Sequence, residues 1–301
     1  MKIGISLASA YQVTHVRDGA RQMIDRARAA AHAGLDSLFV GDHHATPAPY
    51  YQNTPMMGRL LAEWDERPAG ALFLLPLWHP VLLAEQIATL ACITRGKFIM
   101  QCGLGYGEQQ FMAMGANMKH RPSAFEQSLS CVRALWRGES VSLDGRWLFN
   151  DASIAPLPPE PIEVWIGASV PQALERAARL GDAWLASPGL TLAQARDSIA
   201  TYLEALDGLD KPTPPTIAIR RDVYVAESAD EGNRVLREIE SRGYRGFNTE
   251  ALVIGDAESV AEQFTALGDL GFTDIIIRNL HRDPAHAVAS TERMAEVKAK
   301  L

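Results

Sequence analysis

Residues 18–44 read DGARQMIDRARAAAHAGLDSLFVGDHH. Ala20, Met23, Ile24, Ala27 and Ala31 recur at the spacing of one helix face, so 18–33 is expected to be an amphipathic helix. Gly34 ends it, because glycine accepts the left-handed backbone that closes a helix. LDSLFV (35–40) is a short β-prone apolar run, and Asp42, His43 and His44 follow it at once. Helix, glycine stop, buried strand, then ionisable side chains at the strand's C-terminal end: this is one turn of a parallel α/β architecture.

The same alternation extends in both directions. Strand-like runs precede it at 2–8 and follow it at 71–75, 97–102, 162–166, 183–186, 216–226 and 273–278. Helix-like segments lie between or after them at 81–93, 123–137, 172–180, 191–206, 229–241, 259–270 and 284–300. Strands alternating with helices pair in parallel through right-handed crossovers. Eight of them close best into a single (β/α)8 barrel (TIM-barrel) domain over residues 1–301, with an open doubly wound sheet as the second solution. Insertions are expected after strands two, four and seven, at 42–68, 139–155 and 242–257. In the second of these, Asp144-Gly145 between β-prone runs signals a hairpin, and PLPPEP (156–161) links it to the next strand.

The 301 residues suffice for such a barrel, which needs about 250. The hydrophobic fraction of 47% and charged fraction of 22% exclude a disordered, collagenous or coiled-coil chain. A net charge of −7 without a basic stripe argues against a nucleic-acid partner. Cys92, Cys102 and Cys131 form no CxxC pair, so neither a disulfide framework nor a zinc knuckle is indicated, and a reduced, cytoplasmic setting is expected. The first residues, MKIGISLASA, are too short in apolar run for a signal peptide, and 68–84 falls short of a membrane span.

In a parallel barrel the site lies at the C-terminal ends of the strands. After strand two stand Asp42, His43 and His44, able to move protons near neutral pH, hold a metal, or simply cap and pack a loop. After strand three, LPLWHP (75–80) offers Trp78 as a ring-stacking wall or as plain core, with His79 structural before Pro80 at a helix start. After strand four, GLGYGE (103–108) lets backbone approach a phosphate or flat ring, but Glu108 breaks the dinucleotide pattern GxGxxG. After strand five, GASVPQ (167–172) places Ser169 as a helix N-cap with Gln172 completing a capping box, or as part of an anion site at the helix start.

Four segments together resemble the bacterial luciferase-like flavin monooxygenases, a family with relatives that use the deazaflavin F420: 31–44, WHPVLLAEQIATLACITRGKFIMQCGLGYGEQQFMAMG (78–115), EVWIGASVPQALERAARLGDAWLAS (163–187) and IGDAESVAEQFTALGDLGFTDIIIR (254–278). The resemblance implies a (β/α)8 barrel. It places His43 as the catalytic histidine beside the ring, with Asp42 the carboxylate before it; His44, one residue farther from the strand end, is expected to turn into the loop. It puts Leu75 against the ring. Gly103, Leu104, Gly105, Tyr106 and Gly107, with Gly167, Ala168 and Ser169, would then hold the ribityl chain and phosphate. Leu104 stands where true luciferase subunits carry a phosphate-pairing arginine, so backbone N–H groups and Ser169 would carry the phosphate.

The implied chemistry is oxidation of a small organic substrate by reduced FMN and O2, with FMN supplied by a separate reductase. The alternative is oxygen-free hydride transfer with F420. Tyr50, Trp64 and Trp78 are candidate substrate walls. A metal-dependent hydrolase on Asp42, His43 and His44 would need ligands that strands four to six do not offer; a non-enzymatic flavin-binding protein is the remaining alternative. The helix at 81–93 carries Glu85 as its only charge, so it calls for cover on more than one side, either from a homodimer partner or from the 42–68 segment folding back.

Overall fold

The computed structural model describes residues 1–301. Its strands are β1 (Lys2–Leu7), β2 (Ser37–Val40), β3 (Ala69–Leu74), β4 (Phe98–Gly103), β5 (Val141–Leu143), β6 (Phe149–Ala152), β7 (Glu163–Ala168), β8 (Ala183–Ala186), β9 (Ile217–Val225), β10 (Val253–Gly255) and β11 (Asp274–Asn279). Its helices are α1 (Val16–His32), α2 (Asn53–Leu60), α3 (Pro80–Ile93), α4 (Glu108–Ala113), α5 (Arg121–Trp136), α6 (Pro171–Leu180), α7 (Leu192–Asp207), α8 (Ala229–Arg242), α9 (Ala257–Gly268), α10 (Pro284–Glu292) and α11 (Met294–Lys298). All eight expected strands are present. The main sheet runs β10-β9-β11-β1-β2-β3-β4-β7-β8, and β8 pairs again with β9. That order, with helices between parallel strands, is the (β/α)8 barrel.

Differences from the sequence expectation sit at the insertions and ends. The hairpin after α5 forms as β5 and β6, antiparallel, but its turn spans residues 144–148 rather than Asp144-Gly145 alone. The 242–257 insertion contributes β10, which extends the sheet in parallel alongside β9. The closing helix divides at Arg293 into α10 and α11.

The chain clusters into two compact units. The first comprises Met1–Ala8, Arg21–Phe39 and Val164–Leu301. Here β1 pairs with β11 in parallel register, Lys2 opposite Asp274 and Ile5 opposite Ile277. Gly4 is required by closeness: a Cβ there would overlap the Ser37 hydroxyl and lie 2.9 Å from Ile276 Cδ1. Aromatic rings fill the interior, with Phe39 against Trp165 at 5.4 Å and Trp184 against Tyr202 at 5.1 Å. Helix starts are capped by side chains: Thr191 and Gln194 form a capping box on α7, and Ser228, Asp256 and Asp283 cap α8, α9 and α10.

The second unit comprises Ser9–Ala20 and Val40–Glu163. β3 and β4 pair in register, Leu72 opposite Gln101 and Leu74 opposite Gly103. α3 buries Leu83, Ala84, Ile87, Ala88, Leu90 and Ala91, and both α2 and α5 pack on it. The 42–68 segment, which contains α2, thus covers part of α3. Leu82 at 46% and Ile93 at 52% exposure stay open. No helix is long and apolar enough to cross a membrane.

Candidate functional site

The end of β2 carries the ionisable cluster, and its centre is the Asp42 carboxylate, whose side chain is fully buried. Asp42 Oδ2 accepts the Leu74 backbone N–H at 2.8 Å and the Trp78 indole N–H at 2.9 Å. Oδ1 lies 3.1 Å from His44 Nε2, outside good hydrogen-bond geometry. His44 is further fixed by its backbone N–H, which donates to Gln110 Oε1 at 2.6 Å, and by the Trp78 ring edge-on at 5.5 Å. His44 is therefore tied inward to Asp42 and Gln110, where the sequence reading had turned it into the loop.

His43 points the other way. Its ring is half-buried beside Tyr50 at 5.8 Å, and its carbonyl accepts Gln52 Nε2 at 3.2 Å. Burial pulls the imidazole pKa below its ordinary value; the Asp42 charge opposes this and the neighbouring His44 adds to it. A neutral half-buried imidazole at a strand end can accept or return one proton near neutral pH.

On β4, Gln101 shares a sheet face with Gly103, is 4% exposed, and its Nε2 has no hydrogen-bond partner. The loop beyond runs through half-buried Gly103, Leu104, Gly105 and Gly107, with Tyr106 78% exposed. Gly105 has φ +74° and would bring a Cβ to 3.0 Å from Phe111, so only glycine fits there. Gln101, Gln110 and Gln52 were not singled out from sequence.

Gly167 and Ala168 form the last two residues of β7, where the sequence reading ends the strand at 166, and Trp184 Nε1 donates to the Ala168 carbonyl at 3.0 Å. Ser169 is exposed and is not the cap: Val170 occupies the N-cap of α6 without any side-chain cap bond, so the Ser169–Gln172 capping box does not form. At the start of α6 Pro171 has no N–H, and the Ala173 and Leu174 N–H groups donate to the Val170 carbonyl at 2.9 and 3.0 Å, which leaves the Gln172 N–H as the one without a helix partner.

Two further residues take roles other than those expected. Trp64 is 2% exposed and donates its indole N–H to the Arg67 and Pro68 carbonyls at 3.1 and 3.2 Å, so it closes the insertion rather than walling a ligand. Leu75 is completely buried in the turn after β3 and presents no surface to a ring. Trp78 remains half-buried and holds Asp42. Among ligating groups, His281, Asp283 and His286 lie within 4.8 Å of one another, but Asp283 is already the cap of α10 and bonds the His286 ring at 2.9 Å.

The fold and these side chains define a (β/α)8 barrel with its ionisable and glycine-rich segments at strand C-terminal ends. The chain belongs to the luciferase-like monooxygenase family, a family of oxidoreductases, whose model matches residues 1–251. Among curated relatives, the F420-dependent glucose-6-phosphate dehydrogenase of Beutenbergia cavernae is 32% identical over 53% of this chain and 50% of its own length. That of Nakamurella multipartita is 28% identical over 67% of this chain and 61% of its own length. The chain thus aligns with half to under two thirds of these relatives. Solved structures share the fold: the monooxygenase RslO1 from Streptomyces bottropensis, 18% identical, superposes with TM-score 0.85 over 98% of each chain. An F420-dependent secondary alcohol dehydrogenase, 18% identical, superposes with TM-score 0.80 over 99% of this chain and 98% of its own. The oxygenating constituent of 3,6-diketocamphane monooxygenase from Pseudomonas putida, bound to FMN and 18% identical, superposes with TM-score 0.83 over 98% of this chain and 97% of its own.

Proposed function

We propose that the protein is an F420-dependent oxidoreductase that exchanges a hydride with a small organic substrate. The observation that carries this reading is the F420 dependence of its curated relatives, at 32% and 28% identity. It reverses the order read from sequence, in which FMN and O2 came first. The FMN monooxygenase remains the second reading, because neighbours of the same fold include an FMN complex.

Each unit by itself carries residues that fit part of a flat heterocycle with a phosphorylated side chain. In one, Gly103 and Gly105 open the loop after β4 and Gln101 Nε2 is a buried donor without a partner; in the other, the start of α6 has no side-chain cap and offers the Gln172 N–H. When bound, the deazaflavin supplies the hydride or accepts it. The chain's own tasks follow from its geometry. Asp42 fixes the β2 end and His44, His43 holds the proton that the substrate gains or loses, and Gly167-Ala168-Ser169 with the α6 start receive the phosphate. A small organic substrate meets Tyr50 and the exposed rim of the β4 loop. Under the second reading O2 and a separate flavin reductase are the further partners. We place the protein in the cytoplasm as a homodimer paired through the open Leu82 and Ile93 face of α3.

A paired titration of the purified protein with F420 and with FMN tests the cofactor. Tighter F420 binding, with anaerobic bleaching of the deazaflavin on adding an alcohol or sugar-phosphate panel, supports the proposal. FMN binding with O2 consumption moves the protein to the second reading. Light scattering tests the pairing, and a monomer of 32.9 kDa refutes it.

A further inference from the structure

A second charged cluster lies along the middle of β9 and at the C-terminal end of β11, on residues to which neither the sequence reading nor the proposed chemistry gave a role. Along β9, Arg220 and Asp222 face the same side, because side chains alternate. The β9–β11 register puts Arg278 opposite Asp222 and Ile276 opposite Arg220, which sets Arg278 on that same face. Tyr244 and Arg245, from the insertion after α8, complete the group. Asp222 is fully buried; Arg245 Nη1 reaches its Oδ2 at 2.8 Å, while Arg220 Nε stands 3.9 Å from its Oδ1. The Arg245 guanidinium also lies over the Phe247 ring at 5.0 Å, which fixes its plane.

The charges do not balance within the protein. Three guanidiniums face one carboxylate, so the cluster keeps an excess of two positive charges. Arg220 Nε is buried without a hydrogen-bond partner. The Arg278 side chain makes no hydrogen bond or ion pair, and it stands close enough to Arg220 for the two charges to repel. Burial, with Arg278 and Arg245 adding to it against Asp222, lowers Arg220 to about 10. A cluster built only for stability pairs its buried charges one to one, since an unpaired buried charge is costly. This one is open instead: the Arg220 and Arg245 side chains are 21% and 35% exposed. Guanidinium forks match the oxygens of phosphate, sulfonate and carboxylate. Tyr244, whose hydroxyl is pushed up to about 12 by burial first and then Asp222, stays protonated and adds a neutral hydroxyl.

We propose that Arg220, Arg245 and Arg278 form a binding site for the oxyanion head group of an organic ligand, with Asp222 and Tyr244 holding the guanidiniums in place. Calling that ligand the substrate rests on the oxidoreductase reading; the anion site itself does not. A phosphorylated cofactor tail offers the same chemistry, and the test separates the two sources.

The test uses the purified full chain and reads binding without turnover. Inorganic phosphate, glucose 6-phosphate and glucose are titrated by calorimetry and thermal shift into wild type, Arg278→Gln and Arg245→Gln, and F420 and FMN are titrated in parallel. The expected result is that phosphate and glucose 6-phosphate bind wild type and glucose does not. Arg278→Gln weakens both anions at least about tenfold, the loss of one charge-assisted partner, while its melting temperature without ligand is unchanged or higher, because like charges have been separated. F420 affinity within about twofold of wild type assigns the site to substrate. An Arg278→Gln loss confined to F420 or FMN keeps the oxyanion site and gives it to the cofactor. If neither anion nor cofactor binding responds to either variant, the proposal is wrong. The F420 reading falls separately, if wild type fails to bind F420 at all.

Discussion

Replacing Asp42 separates its structural work from its charge. Its Oδ2 accepts two buried N–H groups, from Leu74 at 2.8 Å and Trp78 at 2.9 Å. Hydrogen bonds to a charged acceptor contribute about 1.5–3 kcal/mol each, and orphaned buried donors keep their full desolvation cost. Asp42→Ala should therefore destabilise the fold by about 3–6 kcal/mol, the range in which breaking a buried charged contact usually falls. Asp42→Asn should cost only about 1–3 kcal/mol, because one amide oxygen can still accept both donors and only the charge assistance is lost. Urea unfolding followed by tryptophan fluorescence measures both. The Asn variant also removes the charge that raises the His43 imidazole, so NMR titration should find His43 lower still. An Ala variant within about 1 kcal/mol of wild type, or an Asn variant as damaged as Ala, would show that Asp42 is not the anchor described.

Other outcomes follow from the same geometry. His43→Ala should cut turnover about 10²–10⁴-fold with F420 affinity little changed, read by steady-state kinetics beside the binding titration. The folded His43 pKa lies below 6.5, so it costs no stability above that pH, and the cost grows as pH falls through the folded pKa; His43→Gln should raise the urea midpoint relative to wild type at pH 5 but not for that reason at pH 7.5. Gly105→Ala should destabilise by about 1–2 kcal/mol or more, since φ is +74° and the new methyl meets Phe111; an unchanged melting temperature would refute the tight loop. Thr191→Ala should lose about 0.5–2 kcal/mol with its capping box, while Ser169→Ala should leave stability unchanged and Ser169→Asp should weaken cofactor binding by charge repulsion.

Every barrel strand was legible because each joins a β-prone apolar run to a glycine- or polar-rich stop, and those are local signals. The site was legible only where local order suffices. Asp42, His43 and His44 stand out as neighbours after β2, yet which histidine the carboxylate meets depends on the path of the chain beyond Val40, where Gln110 holds the His44 N–H. Ser169 missed the cap by one residue, because helix starts shift by a residue where proline at N1 suits more than one frame. Trp64 gave no local cue of burial; its indole is held by carbonyls of residues 67 and 68 that a chain reversal returns to it. The arginine cluster needed the β9–β11 register and an insertion to bring Arg220, Arg245 and Arg278 together, and neither can be read from spacing.

The double duty of Asp42 also constrains how such a protein can acquire new substrates. One carboxylate holds the backbone of Leu74 and the Trp78 indole and at the same time adjusts the charge seen by His43, so a change there alters foldability and the His43 protonation together. Variation that reshapes what is accepted is better tolerated at Leu104 and Tyr106, where the loop has no buried polar partner and Tyr106 faces solvent. A mutational library built on the rim of the β4 loop, with positions 42, 101 and 110 left untouched, would explore selectivity on a scaffold that still folds.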